Sequence, residues 1–146
     1  MSQMIIGCIE KVSFPELGFF DVDAKIDTGA YSGALHCTNI RVVKRARDGV
    51  RVLRFTPFDA GPSSEQETTE FMSTYVRSAT GHRMRRHVID TVVMIADKQY
   101  PIRIGLSDRS DMKRPVLIGR RFLRENNLLV DVRINQELDD EGEVTK

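Results

Sequence analysis

Short strand-like runs recur at regular spacing along this 146-residue chain, and only one stretch, residues 120–126, carries a persuasive helical pattern. Runs rich in β-branched and aromatic residues fall at 5–12, 19–26, 34–43, 50–55, 71–78, 85–96, 100–104 and 128–134. The strand-helix alternation of a parallel sheet is missing, so the pattern predicts an all-β barrel or sandwich. Turn signals divide the runs: Pro15 and Gly18, Asp48-Gly49 as a hairpin, residues 79–82 as a second hairpin, and Lys98-Gln99. Residues 59–69 hold Gly61, Pro62 and almost no apolar side chain, which predicts a mobile loop, and 105–113 predicts a polar one.

A chain of this length fits one domain, here residues 1–134, and is long enough to bury roughly two-thirds of its unfolded surface. Residues 135–146 carry five acids (Glu137, Asp139, Asp140, Glu141, Glu143) and one base, Lys146, which predicts a disordered acidic tail beside a mildly basic body. Apolar runs are only a few residues long, so no transmembrane span is expected. Residues 1–6 lack the apolar core of a signal peptide, and the cytoplasm is the default compartment. Cys8 and Cys37 have neither metal nor redox spacing and are expected to be free, buried thiols.

Chemistry enters at Ala24-Lys25-Ile26-Asp27-Thr28-Gly29-Ala30, an apolar strand that runs into a carboxylate and then bends. A rigid strand fixes the direction of such a carboxylate, although Asp-Thr-Gly alone is most often a plain turn. Near the other end, Val116-Leu117-Ile118-Gly119-Arg120-Arg121 reads as a short buried strand, a glycine and a helix start. These two segments, in this order, resemble the retropepsin-like aspartic peptidases. With Leu17-Gly18, Ala34-Leu35-His36 and Leu106-Ser107-Asp108-Arg109, they are similar to a microbial family labelled putative ATP-dependent zinc proteases, over roughly residues 5–133.

The resemblance implies a closed acid-protease barrel with one short C-terminal helix, working as a homodimer. One carboxylate cannot at the same moment activate a water and protonate a leaving amine, so aspartic peptidases share one proton between two. Asp27 would meet its copy from a second subunit, with Thr28 and Gly29 bracing the pair. The implied substrates are acidic, glutamate-rich peptides or amide-linked modifications of proteins, because family members often accompany ATP-grasp ligases that add glutamates. Strand alternation puts Lys25 on the Asp27 face, with Ala24 and Ile26 pointing away. Ala30 and Tyr31 form the pocket wall, and Leu117 faces the pocket. Arg77, Arg83, Arg85 and Arg86 crowd a hairpin that by the resemblance takes the place of the substrate-covering flap, with Gly81 at its tip, and Arg77, Gly81 and Arg86 are expected to bind substrate. Arg120 is expected to pair with an acid, and Asp108, Arg109 and Asp111 to brace the site from below.

Neither half of the family's label has support in the residues. His36, His82 and His87 make no zinc-ligand spacing, and no phosphate-cradling glycine loop is present, so no metal, ATP or other cofactor is expected. Two alternatives remain from other classes. A dimeric barrel that binds peptides without turnover is the first. The second is a nucleic-acid module using the arginine-rich hairpin, which lacks the interleaved aromatics that stacking requires.

Overall fold

The computed structural model describes residues 3–77, 80–109 and 113–139, the side chains of 76 and 77 excepted. Eleven strands and one α-helix follow in order: β1 (Met4–Ile6), β2 (Ile9–Phe14), β3 (Phe19–Asp27), β4 (Ala34–Lys44), β5 (Arg51–Pro57), β6 (Gln66–Thr68), β7 (Phe71–Arg77), β8 (Arg83–Ile95), β9 (Lys98–Ser107), β10 (Val116–Gly119), α1 (Arg120–Glu125) and β11 (Leu128–Val130). The strands β10, β3, β2, β8, β9 and β4 pair in that order, and β4 pairs back onto β10. The sheet therefore closes into a six-stranded barrel, which removes the exposed edges that an open sheet of these strands would present.

Alternation along each strand fills the barrel. Ile89, Val93 and Ile95 of β8 point inward with Ile102, Ile104 and Leu106 of β9, and they meet Val12, Phe14, Ala24, Ile26, Leu35, Val116 and Ile118. Each fully buried side chain of this size contributes about 1.5–3 kcal/mol. Cys37 belongs to the same core, and burial pushes its thiol up to about 12. Without thiolate it has no nucleophile. In the folded protein at pH 8, Cys37 is expected to resist a thiol reagent that it consumes once denaturant is added, and peptide mapping of the labelled protein checks this.

Several local expectations shift for identifiable reasons. The run at 5–12 is two strands, because the chain breaks at Gly7-Cys8, where the main chain of Ile134 crosses it and accepts from Cys8 N at 3.2 Å. A Cβ on Gly7 would lie 2.4 Å from Ile134 O, so no side chain fits. The turn between β8 and β9 falls at Ala96-Asp97, both with positive φ, and Lys98 and Gln99 are already paired in β9. That is the left-handed pair that a two-residue hairpin needs. Within 59–69 the polar strand β6 forms, because Glu67 accepts from Arg45 at 2.7 Å and from Arg54 at 3.2 Å.

The last strand ends at Val130 instead of 134. Asp131 turns the chain by accepting from Arg133 N at 2.9 Å, and the Arg133 guanidinium holds its carboxyl at about 2. The start of the expected acidic tail is built into the fold. Asn135 donates to Ile9 O at 2.7 Å, and Gln136–Leu138 makes a 3-10 turn. Residues 140–146 lie outside the described residues. Among the described residues no helix is long and apolar enough to cross a membrane.

Candidate active site

Asp27 closes β3, and its position follows from the strand that crosses beside it. β10 runs parallel to β3 with Gly119 opposite Asp27, and antiparallel to β4 with Leu117 opposite Ala34. The connection from β3 to β4 must therefore pass around the end of β10. Two glycines make room: a Cβ on Gly119 would sit 2.6 Å from Tyr31 O, and one on Gly33 would sit 2.6 Å from Leu117 O. Gly119 thus packs closely against the main chain that follows the Asp27 turn.

The turn is pinned from several directions. Gly29 N donates to Asp27 Oδ1 at 2.9 Å, and Ala30 N donates to Asp27 O at 3.2 Å. The first turn of α1 then clamps the outer side, since Arg120 N reaches Ala30 O at 2.7 Å and Arg121 N reaches Tyr31 O at 3.0 Å. In place of the expected acid, the Arg120 guanidinium takes a carbonyl: Nη1 donates to Gly29 O at 3.0 Å. It also lies over the Tyr31 ring at 5.3 Å. A carbonyl accepts at no cost in charge pairing, and the turn offers one where the side chain reaches. One oxygen of Asp27 is thus held while Oδ2 accepts nothing among the described residues. The carboxylate is half-buried, and Thr28 and Gly29 are exposed.

Lys25 is half-buried between Leu117 and Ile9 in register, while Ala24 and Ile26 are buried, so alternation puts Lys25 and Asp27 on one face. Leu117 is half-buried between β3 and β4. Tyr31 and Arg86 come together on a cavity of about 610 Å³ that runs past Gly33 and Gly119 to Met72 and Thr74 of the hairpin. Arg86 extends over Gly105, where a Cβ would lie 2.8 Å from its Cδ. Arg77 ends β7 opposite Arg83, with its side chain outside the described set, and Gly81 turns the hairpin with φ 87°. The hairpin does carry an exposed aromatic, Tyr75, with the Arg83 guanidinium 4.3 Å from its ring centre.

A residue weighed only as a brace lies within electrostatic reach of Asp27. Arg109 is half-buried and lies in the fields of both Arg86 and Asp27. Burial first, and then the Arg86 charge, push its guanidinium below the usual range, while Asp27 opposes them. Neither Arg86 nor Arg109 has an ion pair among the described residues; Arg109 Nε donates to Arg114 O at 3.3 Å. The brace forms differently from expectation, as Arg109 N donates to His36 Nδ1 at 2.8 Å. Asp111 lies outside the described residues. The segment Leu106-Ser107-Asp108-Arg109 marked Arg109 only as part of the family resemblance; its place depends on how β9 ends beside β4. Among the described residues, no three His, Cys, Asp or Glu side chains converge to hold a metal. His87 instead meets Ser73 Oγ at 2.7 Å, and burial followed by the Arg85 charge lowers its pKa.

A closed six-stranded barrel whose Asp-Thr-Gly turn is crossed by an Ile-Gly-Arg strand end defines the retropepsin-like class. Residues 5–139 match the family described as RimB-like, retropepsin-like aspartic endopeptidase RimB, and the chain belongs to that family. Two proteins named probable alpha-L-glutamate ligase are similar to it. That of Desulfotalea psychrophila is 29% identical over 153 residues, covering 100% of this chain and 31% of its own length. That of Parasynechococcus marenigrum is 29% identical over 142 residues, covering 94% and 30%. The chain thus spans under a third of the curated relatives it matches. The crystal structure of Lpg0085 from Legionella pneumophila, a protein of unknown function, superposes with a TM-score of 0.67 at 28% identity, over 91% of this chain and 96% of that one.

Proposed function

We propose that this chain is an aspartic peptidase that hydrolyses amide bonds in acidic peptides or amide-linked acidic modifications, as a homodimer with one Asp27 from each subunit. The observation that carries this reading is the Asp27 carboxylate, held at one oxygen by Gly29 N–H and open at the other, at the end of a strand locked by β10 and α1. The ionised Asp27 of one subunit takes a proton from water as the water oxygen bonds to the amide carbon. The protonated Asp27 of the other gives its proton to the leaving nitrogen as the C–N bond breaks. An exposed cross-strand pair, Ile5 and Leu129 on the β1–β11 sheet, with Val132 nearby in sequence, supplies apolar surface of the kind a second copy covers.

The acidic preference draws support from Arg86 and Arg109: the Arg109 guanidinium lies in the fields of Arg86 and Asp27, Arg86 lines the cavity beside Tyr31, and neither arginine forms an ion pair among the described residues. A substrate carboxylate supplies the missing charge. The relatives' name, alpha-L-glutamate ligase, fits such a product as the substrate. Incubation of wild type and Asp27→Asn with a glutamate-rich peptide library from acid to neutral pH, followed by mass spectrometry, tests the reaction. Cleavage by wild type alone supports it; binding without cleavage by both returns the chain to a peptide-binding barrel. Arg109→Ala and Arg86→Ala are each expected to raise KM for glutamate peptides about tenfold, the worth of one charge-assisted hydrogen bond, and to leave glutamine peptides unaffected. Steady-state kinetics on the two peptide series decide it.

A further inference from the structure

Beyond the Asp27 turn, the polar group with the most specific surroundings is His36 of β4, only 3% exposed. Each ring nitrogen is engaged from a different segment. Nδ1 lies 2.8 Å from Arg109 N, and a backbone N–H can only donate, so Nδ1 accepts. The ring proton therefore sits on Nε2, 2.9 Å from Asp59 Oδ1, which accepts it. The main chain tightens the same knot: His36 N donates to Pro115 O and Phe58 N donates to His36 O, each at 2.8 Å. Asp108 adds a carboxylate oxygen 3.8 Å from Nδ1.

His36, at the start of β4, thus joins three further stretches of chain, the exit of β5, the entry to β10 and the exit of β9. The last of these delivers Arg109, whose Nε is tied to Arg114 O just before β10, the strand that ends opposite Asp27, and whose charge lies in the fields of Arg86 and Asp27. With its backbone N–H on His36 and its Nε on Arg114 O, Arg109 is held at both ends. A long side chain tethered at both ends loses little freedom on meeting an anion, which is what preorganised binding requires.

We propose that His36 is a positioning residue: as the Nε2–H tautomer fixed by Asp59, it anchors Arg109 so that the guanidinium is aimed at a substrate carboxylate beside Asp27. The inference rests on the acidic-substrate reading above, and two substitutions separate its parts. Asn at 36 places an amide oxygen near the position of Nδ1 and keeps an acceptor for Arg109 N–H, but it is too short to reach Asp59. Gln reaches Asp59 with an amide N–H and leaves Arg109 N–H without an acceptor.

The test titrates tetraglutamate into the full chain carrying Asp27→Asn, so that binding is read without turnover. In that background His36→Gln is expected to weaken binding about tenfold, and His36→Asn by less than about threefold. Asp59→Ala removes a side chain that is 85% exposed and carries little packing. It is expected to cost about threefold by releasing the tautomer. In the active chain the same contrast should appear as a higher KM with kcat retained. Equal losses in His36→Asn and His36→Gln, or no loss in either, overturn the inference and leave the acidic-substrate reading standing. Failure of the Asp27→Asn parent to bind tetraglutamate overturns both.

Discussion

Asp27→Asn is expected to abolish the proposed peptide hydrolysis, a loss on the order of 10⁴-fold or more, because in the proposed mechanism the residue acts as part of a unit whose members do not substitute for one another. The fold should survive it. The Oδ1 position accepts Gly29 N–H at 2.9 Å, and an asparagine oxygen accepts there equally well. What disappears is the exchangeable proton: an amide neither takes one from water nor returns one to a leaving nitrogen. The check is a matched pair of measurements on purified wild type and variant, turnover of a glutamate peptide and thermal midpoint. A variant that melts with the wild type and does not cleave places the effect in chemistry.

The largest effect on stability should come from Gly119→Ala. A methyl there would meet Tyr31 O at 2.6 Å, Ser32 C at 2.7 Å and Ser32 O at 2.8 Å, all main-chain atoms of a turn that α1 and β10 hold from both sides. Nothing in this trio is a flexible side-chain end that can swing away. Overpacking of this kind costs about 3 kcal/mol, which lowers Tm by roughly 10 °C in a domain of this size. Gly61→Ala is the control, with nothing within 4 Å of its Cβ, and it should leave Tm unchanged or slightly raised. Because Gly119 lies opposite Asp27, any folded Gly119→Ala should also lose activity beyond what its fraction folded explains.

The parts of this architecture that were legible in the sequence are those written into a few consecutive residues. Alternation exposed β2, β3, β4, β5, β7 and β8, and Asp48-Gly49 announced its hairpin, because each signal rests on side chains that face their own neighbours. The helix at Arg120–Glu125 was visible for the same reason. What escaped depends on partners far along the chain. The strand β6, Gln66–Thr68, has no apolar pattern, and arginines of β5 and the preceding turn hold it through Glu67. The break at Gly7 and the shortened β11 both follow from residues 131–135 folding back over β2.

The site divides in the same way. Asp27, Gly29 and Gly119 carried their own marks in Asp-Thr-Gly and Ile-Gly-Arg, but the crossing of β10 between β3 and β4, which makes them neighbours, is a property of the closed barrel. Arg86 was legible as a substrate-facing arginine of the flap hairpin, but its packing over Gly105 was not. Arg109 and His36 each stood in a segment of the family resemblance, but nothing local joined them, and their contact spans 73 positions. A histidine flanked by Leu35 and Cys37, in a strand whose neighbours are buried, was the one available hint that a polar core group needed partners.

The central claim is that neither Asp27 is competent without its copy, and mixing tests it most directly. Wild-type and Asp27→Asn chains are combined in equal amounts, allowed to exchange subunits, and assayed on a glutamate peptide against the same quantity of wild type with no mutant added. Random pairing leaves about a quarter of the dimers with two aspartates, so the account predicts activity near half of that wild-type control. Adding a further excess of Asp27→Asn should drive activity toward zero. Activity that stays equal to the control at every mixing ratio would contradict the account, for it would mean that each chain completes the reaction with its own single carboxylate.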